Sequence, residues 1–217
     1  MMERATTVMG VAGVLCFAFA GLVEGWLPYT HLSRIPVQSL DQIAPRPSRE
    51  FEILAQRYPQ SFRAAFGASR PTKAAFHDAL RHGRDVYIAE ACWHCHSQFV
   101  RPVSNEDVRF GLVSSAAEYQ NELNLPQLFG TRRVGPDLSR AAGKRSVDWH
   151  VAHFWDPPAV VPSSVMPRYD WFFDESGRPN REGLSVITYV TFLGRERARE
   201  QERQARTGVR PRQGARR

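Results

Sequence analysis

Cysteine is scarce in the 217 residues. Only Cys16, Cys92 and Cys95 are present, too few for a small scaffold stapled by disulfides. Methionine is almost as rare: there are four, and Met1, Met2 and Met9 fall in the first nine residues. Long apolar runs are confined to one stretch, which excludes a protein that crosses a membrane many times. Internal repeats and runs of alternating strand pattern are also missing. A hydrophobic fraction of 42% is too high for a chain disordered throughout. Acidic residues are outnumbered, 22 against 29 lysines and arginines. That imbalance first suggests nucleic acid, and its distribution argues against it. Residues 195–217 hold nine arginines and three glutamates, whereas the other 194 residues hold 20 basic and 19 acidic side chains. The excess belongs to a C-terminal tail rather than to a basic surface interleaved with aromatics, so no nucleic-acid partner is expected.

The one apolar run is Ala5 to Val23, 19 residues without a charge. As a helix it would be about 28 Å long, close to the roughly 30 Å hydrocarbon core of a bilayer. Ala18-Phe19-Ala20 resembles a signal-peptidase site, but the run continues through Gly21-Leu22-Val23 and Glu3 offsets Arg4 in front of it. A retained anchor is therefore expected over a cleaved leader. Cys16 follows Leu15, not a small residue, which argues against a lipoprotein site. Trp26 and Tyr29 stand where interfacial aromatics belong. The reading divides the chain into an anchor (1–30), a Pro-rich tether (31–71), a core domain (72–195) and a basic tail (196–217). Within the tether, one short helix is expected at Arg49 to Arg57.

From Thr72 the pattern becomes helical. Phe76, Leu80, Tyr87 and Ala91 recur at three- to four-residue steps, with Gly83 on the same face. A last periodic run, Leu184, Ile187, Thr188 and Phe192, is expected to end near Gly194. Between them lies a Pro- and Gly-rich stretch with only short helices, such as Val147–Phe154. The fold class is thus mainly α.

Ala91-Cys92-Trp93-His94-Cys95-His96 carries the chemistry. On a helix, thiols at i and i+3 with a histidine at i+4 share one face. That spacing suits two thioether bonds to adjacent vinyl groups of one haem, with the imidazole reaching the iron; C-x-x-C-H is the signature of c-type haem attachment. A structural zinc site would need a second ligand pair, and a redox dithiol would want a βαβ context; neither is present. Met166 is the only thioether outside the N-terminal segment, in a loop stiffened by Pro162 and Pro167. It is the preferred sixth ligand, with His150 or His153 as the bis-histidine alternative. In Arg132-Arg133-Val134-Gly135-Pro136, the Gly-Pro turn permits a close backbone approach to a flat cofactor, and the Pro136 carbonyl is a candidate acceptor for the His96 ring N–H. Arg133 or Arg132 is either a partner of the haem propionates or solvated charge.

These motifs together resemble a family. Gly83-Arg84-Asp85-Val86-Tyr87-Ile88, then Cys92-Trp93-His94-Cys95-His96-Ser97-Gln98, Val100-Arg101-Pro102 and Arg109-Phe110-Gly111 stand in its order, followed by Arg133-Val134-Gly135-Pro136-Asp137-Leu138, Trp149-His150 and Ser164-Val165-Met166-Pro167. The sequence is similar to the mono-haem cytochrome c subunit (subunit II, FixO-type) of cbb-type cytochrome c oxidases. The resemblance implies a class I cytochrome c fold behind an N-terminal transmembrane helix in the inner membrane, with the haem domain on the periplasmic side. It implies one covalent haem c held by Cys92 and Cys95, with His96 as proximal and Met166 as distal ligand. It implies as partners a haem–copper catalytic subunit and the other cytochrome c subunits. This chain would then pass electrons within an oxidoreductase complex while having no catalytic residues of its own. The rival readings are a cytochrome serving another respiratory complex, or a haem sensor or peroxidase if Met166 is not a ligand. Residues 45–70 and the arginine tail have no counterpart in the family pattern. The first and last helices of such a fold cross at a small residue, so Gly83 is expected to face Tyr189 or Phe192.

Overall fold

The structure is a computed structural model that describes residues 2–195. The tail expected beyond 195 lies outside the described residues. The chain opens with a continuous helical stretch, α1 (Met2–Ala20), a π-helical turn (Gly21–Trp26) and α2 (Leu27–Leu32). From Glu3 to Leu32 it is long and apolar enough to cross a membrane, and none of its most apolar window is covered by protein. The helix runs through Pro28. Proline lacks the N–H of the regular ladder and its ring crowds the carbonyl four residues back. The π turn immediately before it widens the register where that conflict falls.

Three short helices follow: α3 (Leu40–Ile43), α4 (Arg49–Arg57) and α5 (Pro59–Phe66). Helix α4 has the bounds expected from sequence, and the Ser48 side chain caps it by accepting from the Phe51 N–H. The tether expectation itself is corrected here for residues 40–66. Leu40, Phe51, Leu54 and Phe62 are fully buried and belong to the same hydrophobic core as the rest of the chain. Phe51 lies 5.0 Å from Phe62, 5.6 Å from Phe66 and 5.2 Å from Phe76, ring centroid to ring centroid. Pro59, one of the prolines in this stretch, opens α5 from its first position, where the missing N–H costs nothing.

Helix α6 (Lys73–Ala89), capped by Thr72, crosses α10 (Arg181–Phe192), capped by Asn180, in the most extensive contact between any two elements. Gly83 sits at the crossing. A Cβ there would fall 2.1 Å from the Ser185 carbonyl oxygen and 2.8 Å from Tyr189 Cβ. The expected Tyr189 contact is present, and the backbone of Ser185 is the closer neighbour. Helix α10 ends ahead of Gly194, whose φ of +81° only glycine adopts without strain. Between the two long helices lie α7 (Glu106–Phe110), α8 (Val147–Trp155) and α9 (Pro157–Val160). Among the described residues there is no extended strand, only isolated bridges at Gln38–Asn121 and Phe173–Pro179.

Candidate functional site

Helix α6 stops at Ala89, and Ala91 takes a left-handed conformation (φ +53°). The Cys92–His94 segment is therefore a single 3-10 turn, not the continuation of a helix. The one-face helical arrangement is corrected accordingly: Cys92 is buried and Cys95 is exposed, so the two thiols point into different surroundings. The chain closes on itself through the His96 N–H, which donates to the Cys92 carbonyl at 2.9 Å. Burial, then the Glu90 charge, pushes the Cys92 thiol up to about 12. A redox dithiol needs a depressed thiol, so this environment weighs against that rival.

The His96 ring is fixed by the Gly135-Pro136 turn. Its Nδ1 lies 2.8 Å from the Pro136 carbonyl oxygen. A carbonyl only accepts, so the proton is on Nδ1 and the lone pair is on Nε2, which has no hydrogen-bond partner among the described residues. Burial pulls the imidazole below its ordinary value, against the Pro136 hydrogen bond and the Asp137 charge, and keeps it neutral at pH 7. Gly135 makes room for the ring: a Cβ there would lie 2.2 Å from His96 Cε1. The turn makes a close backbone approach to the histidine ring. The turn is anchored on the other side, since Gly135 N–H donates to Cys95 O at 3.0 Å and Leu138 N–H to Ser97 O at 2.8 Å. The buried Asp137 carboxylate gathers Ser97 Oγ and the N–H groups of Phe99 and Ser139.

Arg133 is placed differently from expectation. Its guanidinium forks onto the buried Glu106 carboxylate at 2.9 and 2.7 Å and also donates to the Phe99 carbonyl. Arg101 pairs with the same carboxylate. Burial acts to raise the Glu106 pKa, but Arg101 and Arg133 outweigh it and hold the carboxyl below its usual range. Arg133 thus serves the loop that follows the histidine, as a paired and not a solvated charge. Sequence reasoning missed Glu106 because its two partners lie 5 and 27 residues away.

Met166 is half-buried and packs against the hydrophobic core. Its loop leads to Tyr169, which is among the groups acting on the Cys92 thiol and whose ring stacks on Phe172. His150 and His153 present buried ring nitrogens without partners, Nε2 and Nδ1 respectively. Burial first, then neighbouring positive charge, pushes both down to about 4, and the His96 charge is among those acting on His153. The ring of Trp149 stacks on His153 at 4.4 Å. Trp149 stands in the Trp149-His150 pair of the family pattern, whereas Tyr169, beside Cys92, belongs to no motif.

These residues fit a haem. There are two free thiols on the loop that ends in His96, a neutral imidazole with Nδ1 fixed and the Nε2 lone pair free, and buried polar atoms without a partner among the described residues. With the α6–α10 crossing and the N-terminal apolar helix, they define a class I cytochrome c-like protein. The family described as "Cytochrome C oxidase, mono-heme subunit/FixO" matches residues 73–210, and the chain belongs to it: the one-haem subunit II of cbb-type oxidases. No curated protein matches the chain.

Proposed function

We propose that this chain is a membrane-anchored electron carrier that passes electrons to the haem–copper catalytic subunit of its oxidase, beside the other cytochrome c subunits, from the periplasmic face of the inner membrane. The observation that carries the reading is His96, held by Pro136 with Nε2 free, on the loop that presents Cys92 and Cys95. When bound, a haem supplies a one-electron iron couple. The chain's residues then divide the work. Cys92 and Cys95 would hold the group by thioether bonds, each thiol adding across a vinyl double bond with its proton going to carbon. His96 would bind the iron through Nε2, and its Nδ1 proton, donated to Pro136, would make it a stronger donor. Met166 would be the second protein ligand, leaving no place for substrate, which suits electron transfer over catalysis at the metal. Arg133 and Glu106 brace the loop behind the histidine. The uncleaved helix ending at Leu32 keeps the domain at the membrane surface.

The test uses the full chain matured in a host able to attach haem. The haem should stay with the polypeptide through denaturing electrophoresis, and be lost in Cys92→Ala/Cys95→Ala. The oxidised protein should show the weak near-infrared sulfur-to-iron band, which Met166→Ala removes. The co-expressed haem–copper subunit should co-purify and be reduced by the reduced chain. Haem that is released on denaturation, or a catalytic subunit that this chain does not reduce, would overturn the proposal. A second reading has one observation in its favour: the unpartnered ring nitrogens of His150 and His153. If the near-infrared band is missing and Met166→Ala changes nothing, bis-histidine ligation replaces it.

A further inference from the structure

Behind the haem-attachment loop lies a cavity of about 350 Å³ that shares the Arg133–Glu106 clamp with the site above. Neither the thiols, His96, Met166 nor the α8 histidines line it. Four guanidinium-bearing residues do, Arg101, Arg109, Arg132 and Arg133, against one carboxylate, Glu106. The lining has a net charge of +3, whereas residues 1–194 as a whole reach only +1, from 20 basic and 19 acidic side chains. Glu106 already serves Arg101 and Arg133. Arg109 and Arg132 are exposed and have no acceptor among the described residues; Arg109 only stacks on Phe110 at 4.9 Å. Two exposed guanidiniums thus share a lining with a third that Glu106 holds in place, and each guanidinium can pair a carboxylate bidentately.

We propose that this cavity is the docking site for an acidic, exchanging protein electron donor. The inference rests on the electron-carrier reading above and adds its input surface. A protein fits better than a free anion because apolar surface accompanies the charge. Phe129 in the lining is 45% exposed, and Val108, on the helix that supplies Glu106 and Arg109, is 82% exposed. An exchanging partner fits better than a resident subunit because permanent interfaces are more apolar than this one. The place is right for electron entry. Thr131 N–H donates to the Trp93 carbonyl at 3.2 Å, and a Cβ at Gly130 would lie 2.8 Å from the His96 carbonyl oxygen. The cavity wall is therefore the backbone that lies against the C-x-x-C-H loop, so a partner seated there would lie against the segment that presents the two thiols and His96. Charge of one sign in a concave site also steers encounter, by about 10- to 1000-fold in rate at low salt.

The test is stopped-flow reduction of the oxidised, haem-loaded full chain in detergent, with photoreduced flavodoxin as an acidic protein donor and hexaammineruthenium(II) as a small cationic one. Ionic strength is raised from about 10 to about 500 mM, which shortens the screening length from about 30 Å to a few ångströms. The wild-type rate with flavodoxin should fall steeply over that range. Arg109→Glu/Arg132→Glu should lower the low-salt rate at least tenfold and flatten its salt dependence, and Arg109→Lys/Arg132→Lys should keep most of it. The ruthenium rate should not fall in either variant by more than the measured change in reduction potential accounts for. A charge-reversed protein that matches wild type with flavodoxin at low salt would refute the docking site alone. A wild type that neither donor reduces would instead refute the electron-carrier reading on which it stands.

Discussion

Gly83→Ala isolates the helix crossing that holds the haem loop. Two effects of opposite sign compete. Alanine is favoured over glycine inside a helix by about 1 kcal/mol. The added Cβ, however, would sit 2.1 Å from the Ser185 carbonyl oxygen and 2.6 Å from its carbon, both backbone atoms of α10. Reaching ordinary contact near 3.4 Å requires α10 to retreat by roughly 1 Å. Leu80, Tyr87, Leu184 and Ile187 are all buried in this core, and a gap of that size forfeits about a quarter to a half of each affected contact. Overpacking of this kind costs about 1–3 kcal/mol, and the rigid neighbour places Gly83 at the upper end. The net effect is a loss of about 1–2 kcal/mol, or a fall in Tm of about 2–8 °C for a domain of this size. The retreat also draws Tyr189 from Gln98, which it meets at 3.1 Å two residues past His96. Urea unfolding of the haem-loaded chain, followed in parallel by far-UV circular dichroism and Soret absorbance, measures both consequences. An alanine variant at least as stable as wild type would show that helix propensity outweighs the contact, and the close crossing would be refuted.

Three further outcomes are expected. Gly135→Ala should displace the His96 ring, since the new Cβ would lie 2.2 Å from Cε1; the Pro136 hydrogen bond should be lost and the reduction potential should change, and an unaltered Soret spectrum and potential would contradict this placement. Phe51→Ala should destabilise the folded chain by about 3–5 kcal/mol, because Phe51 is fully buried among Phe62, Phe66 and Phe76; a shift in urea midpoint within error would restore residues 40–66 to the status of a tether. Glu106 has a folded pKa below its ordinary 4.5, so its contribution to stability is fully present above that pH and is lost as pH falls through the depressed value; Glu106→Gln should remove this acid-side component, and parallel stability–pH profiles for the two proteins would count against the clamp.

Features written in neighbouring residues are legible in the sequence alone. The C-x-x-C-H spacing, the apolar run at 5–23, the bounds of α4 and the small residue at position 83 each depend on local pattern or on a period of 3.6 residues. The fold has helices over 5–20 and 49–57 and its close crossing at Gly83. The Pro136 carbonyl follows as the acceptor for His96 because the chemistry of a metal-bound imidazole calls for one, and the two meet at 2.8 Å. Other features depend on which distant residues meet. Arg133 has many possible anions in the sequence, and only the folded loop selects Glu106 for it. Cys92 and Tyr169 are 77 positions apart, and no spacing rule joins them. Proline density makes 31–71 read as a tether because prolines interrupt periodicity. The short helices between them each bury only a few side chains, and their aromatic rings become core only where α6 and α10 supply the opposite wall. Local propensity and ligand spacing are properties of a chain segment, whereas burial and charge pairing belong to surfaces that exist only once segments distant in sequence are brought together.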